Sequence, residues 1–218
     1  LCAMVIAGCM LPADADAAPG LIHAGTSATA SGDSSIAYGY GAKAKKSHAV
    51  AQGTGADAEE EYALAMGYKA TAKGLQSLAI GRQANAKGAN SIAVGAGAKG
   101  YAKDGVAIGN NAESGTANDK DPRIPTILSN NGVAVGNSAK ASGGSSVSVG
   151  NDSIGNGPSS VAIGNAATAN DVRTTAIGNN AHAEGAGSLS IGREASALTL
   201  ENATSTNPLV TGTDEQLD

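Results

Sequence analysis

Side chains that could do chemistry are few in this chain and stand apart from one another. The three histidines, His23, His48 and His182, are isolated, and none has a partner at the spacing of a metal site. Catalysis needs several polar groups that converge in one pocket, and the sequence offers no such constellation. We therefore expect no enzymatic activity, no cofactor and no bound metal.

Both cysteines lie in an apolar N-terminal segment. Cys2 and Cys9 fall within residues 1–11 (LCAMVIAGCML), which are followed by Pro12 and a run of alanine and aspartate. We interpret residues 1–18 as the remnant of a secretory signal peptide, whose cleavage would leave the mature chain without cysteine. The alternative is a lipobox ending at Cys9, which would leave that residue as a lipid-anchored N-terminus.

The many glycines could suggest a phosphate-binding loop, but their context does not. Gly81-Arg82-Gln83-Ala84 and its copies lack the Gly-Lys-Ser/Thr ending and the helix that such a loop requires. These glycines recur every 14 residues, with one interval of 27. We therefore assign them to turns. The turn glycines are Gly39, Gly53, Gly67, Gly81, Gly95, Gly109, Gly136, Gly150, Gly164, Gly178 and Gly192.

Each turn glycine closes a short motif, serine–aliphatic–alanine–aliphatic–glycine, as in Ser91-Ile92-Ala93-Val94-Gly95. Small residues follow three and five positions later, with a polar residue between them. This period of two indicates strands, and the apolar spacing of a helix is absent. We predict an all-β fold, a parallel β-solenoid of about twelve turns, with two strands of about five residues in each 14-residue unit.

Alanine and the branched aliphatic residues alternate in the first strand, so they must face opposite sides. A narrow coil has room only for small side chains between its sheets, which places alanine inside and the aliphatic residues outside. They would expose a stripe on the order of a thousand Å², larger than a monomer usually shows, and this predicts a homo-oligomer. The opposite orientation is the alternative. The predicted interface residues are Leu78, Ile80, Ile92, Val94, Val106, Ile108, Val133, Val135, Val147, Val149, Val161, Ile163, Leu189 and Ile191.

The overall composition agrees with a thin, repetitive chain. Only 2% of the 218 residues are aromatic, with no Phe and no Trp, whereas 31 are glycine. A thick core cannot be filled from such residues. The formal net charge of −5 argues against a nucleic-acid partner, because phosphate neutralisation needs a basic surface.

A 14-residue Ser-Val-Ala-Ile-Gly repeat behind a signal peptide resembles the head domain of YadA-like trimeric autotransporter adhesins. The match covers roughly residues 21–197. The resemblance implies a left-handed parallel β-roll in each chain, a homotrimer of such rolls, and export to the cell surface and outer membrane of a Gram-negative bacterium. It implies an adhesin head that attaches to host extracellular matrix proteins or cell-surface receptors. The alternative is a structural spacer, or a self-association module for autoagglutination or biofilm.

The resemblance also divides the chain. It places the β-roll head at residues 19–197 and a linker toward a neck and stalk at residues 198–218. The resemblance implies that membrane attachment is made through a C-terminal anchor, which we expect to lie outside this fragment.

The interval of 27 residues equals one unit plus 13, so we predict an insertion at about residues 115–131. It carries three apolar residues in an otherwise polar stretch, Ile124, Ile127 and Leu128. They are candidate ligand contacts in a projecting loop. The alternative is a neutral insertion, since insertions between solenoid turns cost little.

The five tyrosines lie in the N-terminal half of the chain. Tyrosine is favoured at binding surfaces, so Tyr40, Tyr62 and Tyr68 are further candidate ligand contacts. A lysine cluster, Lys43, Lys45 and Lys46, precedes a glutamate cluster, residues 59–61, by one turn of the predicted solenoid. These charges could form a ligand-binding patch, or a solvated face with ion pairs between turns.

Overall fold

The computed structural model describes residues 21–116 and 130–198. In both ranges the chain winds in coils, and each coil contains one strand of three residues and one of two. The longer strands are β1 (Ile22–Ala24), β3 (Ile36–Tyr38), β5 (Val50–Gln52), β7 (Leu64–Met66), β9 (Leu78–Ile80), β11 (Ile92–Val94), β13 (Val106–Ile108), β15 (Val133–Val135), β17 (Val147–Val149), β19 (Val161–Ile163), β21 (Thr175–Ile177) and β23 (Leu189–Ile191). The shorter strands are β2 (Thr29–Ala30), β4 (Lys43–Ala44), β6 (Asp57–Ala58), β8 (Thr71–Ala72), β10 (Asn85–Ala86), β12 (Lys99–Gly100), β14 (Glu113–Ser114), β16 (Lys140–Ala141), β18 (Ile154–Gly155), β20 (Thr168–Ala169), β22 (His182–Ala183) and β24 (Ser196–Ala197).

The strands form two parallel sheets that run through all twelve described coils. The odd-numbered strands make a 12-stranded sheet, here sheet A, and the even-numbered strands make a second 12-stranded sheet, sheet B. Neighbouring strands pair in strict repeat register, with Ile92 opposite Leu78 on one side and Val106 on the other. The predicted parallel β-solenoid of twelve turns is confirmed. Within the described ranges no helix is long and apolar enough to cross a membrane.

The strands are shorter than the five residues expected from the alternation. Each coil closes two turns of four residues, for example by hydrogen bonds from Ala98 N to Gly95 O (3.3 Å) and from Ser91 N to Gly88 O (3.2 Å). Two such turns take up most of a 14-residue unit. The expected strand length was wrong because these turns begin directly at the motif glycine.

The motif glycines occupy a backbone conformation that other residues avoid. All eleven have φ between +125° and +140°. There is also no space for a side chain, because a Cβ added to Gly81 would lie 2.5 Å from the carbonyl oxygen of Gly95 in the next coil. Both backbone geometry and contact between coils therefore require glycine there.

The interior between the two sheets is filled almost entirely by alanine and serine. Ala79, Ala93 and Ala107 of sheet A are fully buried, as are Ala72 and Ala86 of sheet B. The largest fully buried side chain in the described residues belongs to Thr174. The inward placement of alanine is thus confirmed, and the opposite orientation is wrong.

The 13 extra residues do not interrupt the stack of coils. Residues 117–129, with Ile124, Ile127 and Leu128, lie outside the described residues. On either side, Glu113 pairs with Lys140 and Val106 with Val133, in the register of the other coils. The insertion therefore leaves and re-enters at the turn between sheet B and sheet A.

The packed interior predicts a strong asymmetry between inward and outward positions. Ala93→Val should lower the free energy of unfolding by about 1–3 kcal/mol, because the two added methyl groups have no space between the sheets. Thr168→Val, at an outward position of sheet B, is the matched control and should change it by less than about 0.5 kcal/mol. Urea unfolding followed by circular dichroism measures both. Equal effects would contradict an interior limited to small side chains.

Candidate interaction surfaces

The outer face of sheet A carries two ladders of aligned side chains, one on each side of the buried alanines. The first ladder consists of Ile22, Ile36, Val50, Leu64, Leu78, Ile92, Val106, Val133, Val147, Val161, Thr175 and Leu189. The second ladder consists of Ala24, Tyr38, Gln52, Met66, Ile80, Val94, Ile108, Val135, Val149, Ile163, Ile177 and Ile191. None of these residues is buried in the single chain.

All fourteen residues predicted at an interface lie in the two ladders. Their exposure is greatest near the C-terminal end, where Leu189 and Ile191 are 58% and 62% exposed. The ladders also include residues that were not predicted at the interface, in coils where Thr175 and Gln52 break the aliphatic pattern. Their constant distance from the motif glycine was the signal that could have placed them.

The second ladder is not aliphatic near its N-terminal end. Tyr38, Gln52 and Met66 occupy the positions that are Ile80 and Val94 further along. The aliphatic part of the second ladder therefore begins at Ile80.

The structure separates the three candidate tyrosines. Tyr40 and Tyr68 follow motif glycines and lie two coils apart on the edge that leads from sheet A to sheet B. Tyr62 lies on the opposite edge, where its ring stacks on that of His48, with centroids 4.8 Å apart and planes 5° from parallel. All three are about half exposed or more. They therefore do not form one cluster.

The outer face of sheet B is polar and carries ion pairs between coils. Lys45 Nζ lies 2.9 Å from Asp57 Oδ2 and 3.3 Å from Glu59 Oε1. Lys73 Nζ approaches Glu59 Oε1 from the other side, at 3.0 Å. The expected pairing between turns is therefore present, with Glu59 held between two lysines from neighbouring coils.

This arrangement shifts the titration of Glu59 and Lys45. Partial burial raises the pKa of Glu59, but hydrogen bonds and charges from Lys73 and Lys45 outweigh it, so the pKa lies below its ordinary value. Burial likewise lowers the pKa of Lys45, and its contacts with Asp57 and Glu59 reverse the effect and raise it. Both shifts favour the charged forms.

An open groove of about 430 Å³ runs along one edge of sheet B over four neighbouring coils. Its lining residues are Lys99, Asn111, Glu113, Ser138, Lys140, Asp152 and Ile154. Lys99 Nζ lies 3.5 Å from Glu113 Oε2, and Lys140 occupies the next position along the same row. Charges of both signs line this groove.

The histidines occupy three unrelated environments. His23 takes an inward position in the first coil, opposite Ala37. His182 faces outward from sheet B, with its Nε2 2.7 Å from Glu184 Oε1. In the two described ranges, no group of three or more histidine, cysteine or acidic side chains could hold a metal ion.

Comparison with known proteins identifies the repeat. The family model described as the YadA head domain repeat matches residues 24–42, 44–70, 72–98, 129–153, 156–181 and 172–195. The chain belongs to the YadA head family. The resemblance drawn from the Ser-Val-Ala-Ile-Gly repeat is thereby confirmed, and the matched segments follow the coils of this YadA-type head.

One solved structure similar to this YadA-type head is the crystal structure of the collagen-binding domain of the Yersinia adhesin YadA. The two chains share 20% sequence identity, the TM-score is 0.32, and the alignment covers 88% of this chain and 82% of the other. No curated protein sequence matches the chain.

The ion pairs of Glu59 predict how the free energy of unfolding of this YadA-type head depends on pH in the acid range. A carboxyl group whose pKa is lowered by folding stabilises the protein above its unfolded pKa, and loses that effect as the pH falls through the folded value. Between about pH 5 and pH 3, Glu59→Gln should therefore lose less stability than the wild type. Near pH 7 the variant should be less stable by about 1 kcal/mol or less.

Urea unfolding at pH 3 to pH 7, at about 20 mM and 500 mM salt, measures this difference. Glu60→Gln removes the same charge from the exposed turn beside Glu59 and is the control. A wild type and Glu59→Gln variant with parallel pH profiles would show that the pairs with Lys45 and Lys73 do not contribute.

Proposed function

We propose that this YadA-type head is a non-enzymatic adhesin head that works as a homotrimer on the surface of a Gram-negative bacterium. It attaches the cell to host extracellular matrix proteins or cell-surface receptors. The single observation that carries the assembly is the outer face of sheet A, where the aliphatic ladders are left uncovered by their own chain. Family membership supports the adhesive role.

The energetics of the ladders favour association. Burying one aliphatic side chain stabilises a protein by roughly 1.5–3 kcal/mol, and the two ladders present such side chains in nearly every coil. Because the rows keep the same register from coil to coil, copies aligned in parallel can cover them coil by coil. Three left-handed rolls around one axis, the arrangement implied by the family, cover the ladders of every copy equally.

The same assembly turns weak contacts into firm attachment. With the sheet A faces turned inward, the sheet B faces and both turn edges remain on the outside of the trimer. Each ligand-contacting position is then present three times on one rigid rod, and multivalent binding raises the overall affinity well above that of one contact.

The first experiment measures the assembly. Light scattering of the purified head should give three times the mass of the chain. Replacing Val94 and Ile108 by lysine should dissociate the trimer, because charges cannot be buried at an apolar interface without a partner. Lysine at Thr71 and Thr168, outward on sheet B, is the control and should leave the trimer intact. A stable, soluble wild-type monomer would exclude the proposed assembly.

The second experiment measures adhesion. The trimer is applied to immobilised matrix proteins, including collagen, the ligand named for the Yersinia adhesin. Replacing Tyr40, Tyr62 and Tyr68 by serine should weaken binding about tenfold or more, because large aromatic contacts dominate binding energy at interfaces. Deleting residues 117–129, which restores the 14-residue spacing, should preserve the trimer and tests the inserted segment separately.

Unchanged binding of the tyrosine variant would remove these residues from the ligand contacts. An intact trimer that binds no matrix protein or host cell would favour the role of a spacer or self-association module.

A further inference from the structure

Charge is distributed unevenly along this acidic chain. Residues 43–103 contain nine Lys and Arg against four Asp and Glu, a net charge of +5, although the whole chain carries −5. A positively charged segment in an acidic protein creates a local potential that attracts anions, whatever the sign of the net charge.

Most of these lysines point outward from sheet B. Six lysines occupy outward positions on five of the seven coils from β4 to β16, in β4, β12 and β16 or directly after β4, β8 and β10, and we call this surface the lysine face. It consists of Lys43, Lys45, Lys73, Lys87, Lys99 and Lys140. The carboxylates in the same rows are Asp57, Glu59 and Glu113, so the face has an excess of three positive charges.

The remaining coils of the same sheet lack this charge. From Ile154 to Leu198 the outward strand positions carry only two titratable groups, His182 and Glu184, which contact each other. The outer face of sheet B therefore consists of a cationic half and a nearly neutral half on one continuous scaffold.

The carboxylates pair with only some of the lysines of the lysine face. Lys45 and Lys73 share Glu59, and Lys99 lies 3.5 Å from Glu113. Between them, Lys87 has its Nζ 5.1 Å from the centre of the Tyr101 ring, a cation–π contact that leaves its charge in place. Coils rise by about 4.8 Å, so Lys73 and Lys87, which follow each other in one row, lie on neighbouring coils about that far apart.

We propose that the lysine face binds a sulfated linear polysaccharide. The proposal rests on the proposed assembly only in that the sheet A faces are turned inward, which leaves sheet B accessible. The shorter strands are only two residues long and keep the same register from coil to coil, so the face offers a narrow track that fits one extended chain rather than the broad surface of a nucleic-acid duplex. The face carries lysine and no arginine, so it offers the anion point charges rather than planar bidentate contacts.

The test compares heparin binding by two charge-matched variants of the full chain. The first replaces Lys87, Lys99 and Lys140 by glutamine. The second replaces Lys46, Arg173 and Arg193, which lie in turns, by glutamine. Both variants therefore lose three positive charges. At 150 mM salt we expect the first variant to bind heparin about tenfold or more weakly, with a smaller dependence of log Kd on log salt, and the second to stay within about twofold.

Three results would overturn the proposal: no heparin binding by the wild type, equal weakening in both variants, or competition by duplex DNA as effective as heparin at equal charge concentration. Trimer mass and binding to matrix proteins are measured on the same samples. A wild-type chain that forms no trimer would contradict the proposed function. A wild-type trimer that binds matrix proteins but not heparin would contradict only the proposed role of the lysine face.

Discussion

The narrow gap between sheets A and B is the constraint on which the rest of this structure depends. Its interior accepts alanine and serine and little else, with Thr174 as its largest fully buried side chain. An interior of this kind buries little apolar area in each coil, so hydrogen bonds between coils, such as Ile92 N to Gly105 O at 2.8 Å, carry much of the cohesion. The large aliphatic side chains are excluded from the inside and must be covered from outside.

How far the sequence predicts this fold follows from the same constraint. Period, register, coil number and the inward placement of alanine were all predictable, because a 14-residue repeat with glycine at a position that tolerates no Cβ leaves one way to stack. The length of the strands was not predictable, because it depends on which residues form the hydrogen bonds that close the turns. The opposite positions of Tyr40 and Tyr62 were not predicted either, although their phase in the repeat was the available signal: Tyr40 directly follows a motif glycine, whereas Tyr62 lies five residues before the next one, Gly67.

The surface depends on columns of residues that stack from coil to coil. A residue in one coil meets the residues 14 positions before and after it, as His48 meets Tyr62 and as Asn90 donates a hydrogen bond to Asp104 at 2.7 Å. Repeats in the same phase therefore make straight columns, and a substitution changes a column locally without altering its neighbours. This independence explains why the 13-residue insertion leaves the pairing of Glu113 with Lys140 intact.

Charged side chains in one column are most stable when their signs alternate, because like charges in neighbouring coils lie about 5 Å apart and repel. The signs alternate along Lys45, Glu59 and Lys73, and the lowered pKa of Glu59 reflects that alternation. Lys87 interrupts this alternation, since it follows Lys73 directly in the same column with no carboxylate between them. An anion seated across these two lysines would restore the alternation that the chain omits. The column therefore departs from its alternation of charge at Lys73 and Lys87, and the proposed sulfated chain would supply the missing negative charge there.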